Sequence, residues 1–141
     1  MHINVYVRTT IKGPRRSDGI AAYVIEEDGT GRIATDFRYV KDVTSNQAEL
    51  RILGLALSKI KKKCDLTIYT DLPYVAEGLE KWAFQWKDNN WVTTRGKEIS
   101  NKVEWQYLLK ILNGTSFEVE CKEQHIFSSW LDMELKNRRK Q

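Results

Sequence analysis

Ile3, Val5 and Val7 alternate with Asn4, Tyr6 and Arg8 at the start of the chain. This period of two predicts a β-strand. Gly13, Pro14, Ser17 and Asp18 then gather turn formers in one short stretch. Residues 20–25 read as a second, more continuously apolar strand. Asp28-Gly29 is a hairpin signal, and residues 32–40 predict the third strand. The period then changes. Leu50, Leu53, Leu57 and Ile60 recur at spacings of three and four, one stripe of a helix. Thr44 or Ser45 is placed to cap that helix, which is expected to run on through Lys62. Residues 66–69 predict a short strand, 74–86 a second helix, 102–112 a third, 117–122 a fifth strand and 130–140 a final helix. The order βββαβααβα predicts an α/β domain, a mixed sheet with helices packed on it. No repeat or low-complexity linker divides residues 1–141, which read as a single domain.

Composition narrows the function classes. The 141 residues are 41% hydrophobic and 30% charged, ordinary for a globular protein. The longest uncharged apolar run, residues 52–58, is far short of the ~20 residues that a membrane helix needs. The opening residues lack the pattern of a signal peptide. Cys64 and Cys121 are distant and form no CxxC pair, which predicts reduced thiols rather than a disulfide framework or zinc site. A cytoplasmic protein is the resulting expectation. Lys and Arg number 23 against 19 Asp and Glu, a net charge of +4. That balance suggests a nucleic-acid partner. The bases fall in three clusters: Lys12, Arg15 and Arg16; Lys59 and residues 61–63, all lysine; and Lys136, Arg138, Arg139 and Lys140. Cations closing a helix would account equally for the middle cluster.

Three carboxylates stand at informative places. Glu49 is expected in the first turn of the first helix, where it could serve only the helix dipole. Asp71 directly follows the strand Leu-Thr-Ile-Tyr-Thr, and ligands of α/β sheets gather at the carboxyl ends of strands. Asp132 lies near the start of the last helix. Capping is the plain alternative for both aspartates. Together the three could form an oxygen site suited to Mg²⁺.

These residues and their order resemble type 1 ribonuclease H across nearly the whole chain. Asn46-Gln47-Ala48-Glu49-Leu50 is similar to the family's helix start. Thr70-Asp71-Leu72-Pro73-Tyr74-Val75 is similar to the end of its fourth strand. Trp82 to Lys87, then Trp91, Asn101 and Trp105-Gln106, resemble its second helix, basic protrusion and following helix. The resemblance implies a five-stranded mixed sheet flanked by helices. It implies metal-dependent hydrolysis of the RNA strand of an RNA/DNA hybrid by a monomer. Glu49, Asp71 and Asp132 carry over as metal ligands, for Mg²⁺ or Mn²⁺. His125 carries over as a loop histidine that assists proton transfer. Thr44 and Asn101 match positions holding a DNA phosphate. Asn46, Trp82, Lys87, Arg95 and Lys97 complete the expected nucleic-acid surface.

One departure cuts into that picture. The family's first strand ends in a metal-bridging Asp, and Arg8 stands there instead. Three carboxylates against one guanidinium leave two net negative charges, enough to balance one Mg²⁺ rather than two. An inward Arg8 makes two-metal chemistry improbable, because a unit charge 4 Å away contributes roughly 4 kcal/mol at an effective dielectric near 20. The expectation is hybrid recognition with activity weakened or lost; the alternative is a catalytically inactive binding or interaction module. Asp18, in the same hairpin, is the one acidic residue near enough to rearrange the site.

Overall fold

The computed structural model describes residues 1–139. Five strands form one sheet in the order β3-β2-β1-β4-β5. They are β1 (His2–Thr9), β2 (Ser17–Glu27), β3 (Ile33–Val43), β4 (Asp65–Thr70) and β5 (Phe117–Cys121). The first three pair antiparallel, while β1–β4 and β4–β5 are parallel. The α/β class and the mixed sheet agree with the sequence reading.

Central β1 is buried on both faces. Ile3, Val5 and Val7 pack into the main core with Leu50, Leu53 and Leu57 of α1 (Ser45–Ser58) and Leu108 of α4 (Lys102–Leu112). The alternate residue Tyr6 packs on the opposite face with Ile20, Ala22 and Val24. Leu131 and Leu135 of α5 (Ser128–Arg139) close that second core. Arg8 shares the parity of Tyr6, so the pleat directs it toward α5.

Several boundaries shift from the sequence reading. The Thr44 hydroxyl caps α1 by accepting the Gln47 N–H at 3.1 Å, the expected use of a Thr at that position. The helix ends at Ser58 and not Lys62, because the Lys59 N–H turns back to the carbonyls of Ala56 and Leu57. Lysines 61–63 therefore lie in an exposed loop and do not serve the helix terminus. The final helix begins two residues early, and Lys140 lies outside the described residues. The predicted second helix is a continuous run of α2 (Pro73–Glu77), a π-helical turn over Gly78–Trp82 and α3 (Ala83–Asp88). The fully buried Trp105 ring lies against Gly78, and a Cβ there would collide with it. Among the described residues, no helix is long and apolar enough to cross a membrane.

Candidate functional site

The carboxyl ends of β1 and β4 bring together Arg8, Thr70 and Asp71. Glu49 joins them from α1 and is fully buried. It lies in the second turn, five residues into the helix, so the dipole-partner reading fails. Its Oε1 accepts a hydrogen bond from the Thr70 hydroxyl. Its Oε2, and Oδ1 of Asp71, are buried without a partner. Complete burial pushes the Glu49 pKa well above the ordinary carboxylate range. The neighbouring Asp71 charge pushes it further, while Thr70 and Arg8 oppose the rise. Two buried carboxylate oxygens without a partner, on residues close enough to influence each other, are a donor set suited to a hard cation.

Arg8 closes the other half of the site. It is 5% exposed, and its Nη1 donates to both oxygens of Asp132 at 2.9 and 3.0 Å. Its Nη2 donates to the Glu123 carbonyl. The ion pair spends Asp132, whose side chain remains 59% exposed on α5. Among the described residues, no three His, Cys, Asp or Glu side chains are gathered to hold a metal ion. The expected trio of Glu49, Asp71 and Asp132 is thus not assembled: the first two fit a cation, and Asp132 answers Arg8. Capping of α5 does not explain Asp132 either, since it is the fifth residue of that helix.

Asp18 does not take the missing place. It sits at a register irregularity of β2 and accepts the Asp42 N–H at 2.8 Å. Both residues are exposed, on the hairpin flank. The rearranged-site reading is therefore dropped.

His125 is half-buried in the loop before α5. Its ring centroid lies 4.6 Å from that of Tyr6, and its Nδ1 accepts the Phe127 N–H at 3.1 Å. Burial and then the Arg8 charge lower its pKa to about 4, against the pull of Asp132 and Asp71. The ring is thus neutral near neutral pH, with its proton on Nε2.

Three of the residues expected on the nucleic-acid surface converge. Thr44, Asn46 and Asn101 line one open groove of about 800 Å³ between the ends of α1 and α4. Thr44 doubles as the α1 cap, and the Asn101 Nδ2 reaches the Tyr74 hydroxyl at 3.5 Å. The groove also takes in Arg16, Arg51 and Lys102, which sequence reasoning did not place there. Gln47 and Arg51 share a helix face by their four-residue spacing, and both reach Glu104. That i, i+4 relation beside the Thr44 cap was the available signal.

Trp82, Lys87, Arg95 and Lys97 lie outside this groove. Lys87 lines a smaller hollow with Trp91 and Lys110. Arg95 and Lys97 are exposed on a turn closed by the Val92–Glu98 bridge and the Thr93 N–H to Lys97 carbonyl bond at 2.7 Å. Trp82 and Trp86 are each partly buried, with centroids 6.2 Å apart. Trp86 in turn meets Trp105 at 5.8 Å. The aromatic part of the protrusion is therefore anchored in the core, and its cations project from it.

Comparison with known proteins bears on this arrangement. The RNase H family model matches residues 2–126. A ribonuclease H of Francisella tularensis subsp. novicida is 44% identical over 73 residues, 52% of this chain and 48% of that protein. A ribonuclease H of Francisella philomiragia is 46% identical over 68 residues, 48% of this chain and 45% of that protein. The chain spans about half the length of the curated relatives it matches. Among solved structures, LC9-RNase H1, a type 1 RNase H with the type 2 active-site motif, superposes with a TM-score of 0.74 at 21% identity. That match covers 96% of this chain and 71% of the other. LC11-RNase H1, solved in complex with RNA/DNA hybrid, superposes with a TM-score of 0.65 at 13% identity over 97% and 99% of the two chains.

Proposed function

Because the chain belongs to the RNase H family, we propose that it recognises RNA/DNA hybrid and that Arg8 reduces or abolishes cleavage of the RNA strand. The observation carrying this reading is the Arg8–Asp132 ion pair at the end of β1. Glu49 and Asp71 would hold a single Mg²⁺ or Mn²⁺, which would supply Lewis-acid stabilisation of a phosphate oxygen. Asp132 could join them only by leaving Arg8. His125, neutral and fixed through Nδ1, would present Nε2–H as a donor rather than wait as a base.

Binding rests on separate groups. The groove containing Thr44, Asn46 and Asn101, with Arg16, Arg51 and Lys102 around it, supplies polar donors and cations for one phosphate run. Lys87, Arg95 and Lys97 supply a second, from the protrusion. Two cationic sites would suit a duplex backbone, which contributes most of the affinity. Selection of the RNA strand would come from 2′-hydroxyls across the wide minor groove.

The test is a pair of assays on one labelled hybrid. Anisotropy at low salt should report binding. Gel analysis with Mg²⁺ and with Mn²⁺ should report slow cleavage or none. Binding with no cleavage in either metal favours the alternative of an inactive module. Robust Mg²⁺-dependent cleavage overturns the assigned effect of Arg8, and absence of affinity overturns hybrid recognition.

A further inference from the structure

The basic chain carries an acidic margin along an open sheet edge. β5 ends the sheet on the β4 side. Its inner edge bonds β4 through the Ser116 carbonyl, which accepts the Leu66 N–H, and the Lys122 N–H, which donates to Thr70. By the two-residue period, Phe117, Val119 and Cys121 direct their backbone N–H and C=O groups outward. A groove of about 560 Å³ runs along this edge, with Leu79, Phe84, Phe117 and Val119 as its apolar wall. Phe84 is 46% exposed. Glu80, Glu118 and Glu120 form the rim, and among the described residues none of the three has an ion-pair partner. Burial first, then the charges of Asp71, Glu49, Glu77 and Glu80, raise the pKa of Cys121 at the strand's end. Lys122, which follows the strand, rests over the Tyr69 ring.

We propose that this edge is a docking site for an extended, cationic segment of a partner protein, which adds to the sheet as a strand beside β5. Charge selects the occupant. A polyanion such as nucleic acid is repelled by the rim. A second copy of the chain would set glutamates against glutamates, the arrangement by which edge strands avoid pairing with themselves. An added strand has two faces. One lies over Phe84, Phe117 and Val119 and takes apolar side chains. The other lies beside Glu118 and Glu120, on the opposite side of β5, and takes lysine or arginine. The recognised pattern is therefore alternating basic and apolar residues, with affinity from main-chain bonds and specificity from the alternate side chains.

The probe is a blocked heptapeptide of alternating lysine and valine, titrated into ¹⁵N-labelled protein. Amide shifts should be confined to Phe117–Cys121 and the Glu80–Phe84 rim, and the outward amides of Phe117, Val119 and Cys121 should gain exchange protection. A peptide of alternating glutamate and valine should not bind. Glu118→Lys with Glu120→Lys should weaken the lysine peptide about tenfold, the scale of two exposed ion pairs, and should admit the glutamate peptide. No shifts at millimolar peptide, equal binding of both peptides, or shifts centred on the Thr44 groove would each overturn the proposal. Self-association of the peptide-free protein that protects the same amides would overturn it too, by assigning the edge to a second copy. The wild-type titration decides the matter even if the double variant does not fold.

Discussion

A single Arg8 nitrogen contacts both carboxylate oxygens of Asp132, joining the end of β1 to α5 across 124 positions of sequence. The contact has one partner buried and one exposed. That asymmetry limits its worth: Asp132 loses little hydration, whereas the guanidinium is desolvated and its Nε is left without a partner. Arg8 is therefore held by the site's negative charge. It supplies in covalent form part of the positive charge that a cation would bring.

Arg8→Asp should exchange that tethered charge for bound metal. The free variant would bury a fourth carboxylate beside Glu49, Asp71 and Asp132, so it should melt below the wild type in chelator. Mg²⁺ should restore stability in proportion to occupancy, through ligand linkage. Cleavage of hybrid should rise above the wild-type level. Calorimetry and thermal melts with and without Mg²⁺ check the first part independently of activity. A variant that binds two metals and still fails to cut would place the defect in the loop around His125.

Glu49 should act against stability at neutral pH. Its folded pKa is raised above its unfolded value. The folded state then holds the proton more tightly, and its contribution is lost as pH rises from the unfolded value through the folded one. Glu49→Gln keeps the Thr70 contact and removes the charge, so it should raise the melting temperature at pH 7 and abolish Mg²⁺ binding. Asp71→Asn should also abolish binding. A calorimetric titration of the wild type should show at most one weak site, and two tight sites would contradict the reading.

How much of this was legible beforehand follows from the range of each interaction. The β1 alternation and the Thr44 cap are local, and so were readable from neighbouring residues. The bounds of α4 were likewise set by its own apolar stripe, with Trp105, Leu108, Leu109 and Leu112 buried. The end of α1 was not, because the Lys59 turn interrupts a stripe that Ile60 continues by spacing alone; Ile60 packs on the core from outside the helix. The π turn was not legible either, since Gly78 yields to Trp105, a residue 27 positions away. In the site, Glu49 and Asp71 were found from motif position. The loss of Asp132 to Arg8 was not, because it depends on where a long side chain points on a strand buried on both faces.

Nucleic-acid binding should weaken steeply with salt, because phosphate contacts release counterions. Replacing Lys87, Arg95 and Lys97 together by Ala should lower affinity for hybrid and flatten the salt slope by about one unit per lost phosphate contact. All three side chains are exposed, so the fold should be unaffected. Arg51→Ala in the Thr44 groove should act in the same direction but more weakly, since Glu104 already engages that guanidinium at 3.2 Å. An unchanged slope in the triple variant would remove the protrusion from the interface.

His125 should give the fold a measurable acid limb. Its folded pKa of about 4 lies below the ordinary value of about 6.5. Between those values the unfolded chain binds a proton that the folded chain does not, so stability falls as pH drops through this window. The physical cause is the buried ring beside Tyr6 and the Arg8 charge, with Nδ1 already accepting from Phe127. Glu49 titrates in the opposite sense above its unfolded value, so the net curve between about pH 4.5 and 6.5 is the difference of the two. The Glu49→Gln background isolates the histidine. In that background, melting temperature should decline steadily from pH 6.5 to 4, and adding His125→Gln should flatten the decline. The same two variants at pH 7 should differ little in hybrid affinity, because the neutral ring carries no charge for a phosphate. An acid limb that survives removal of His125 would assign it to another group.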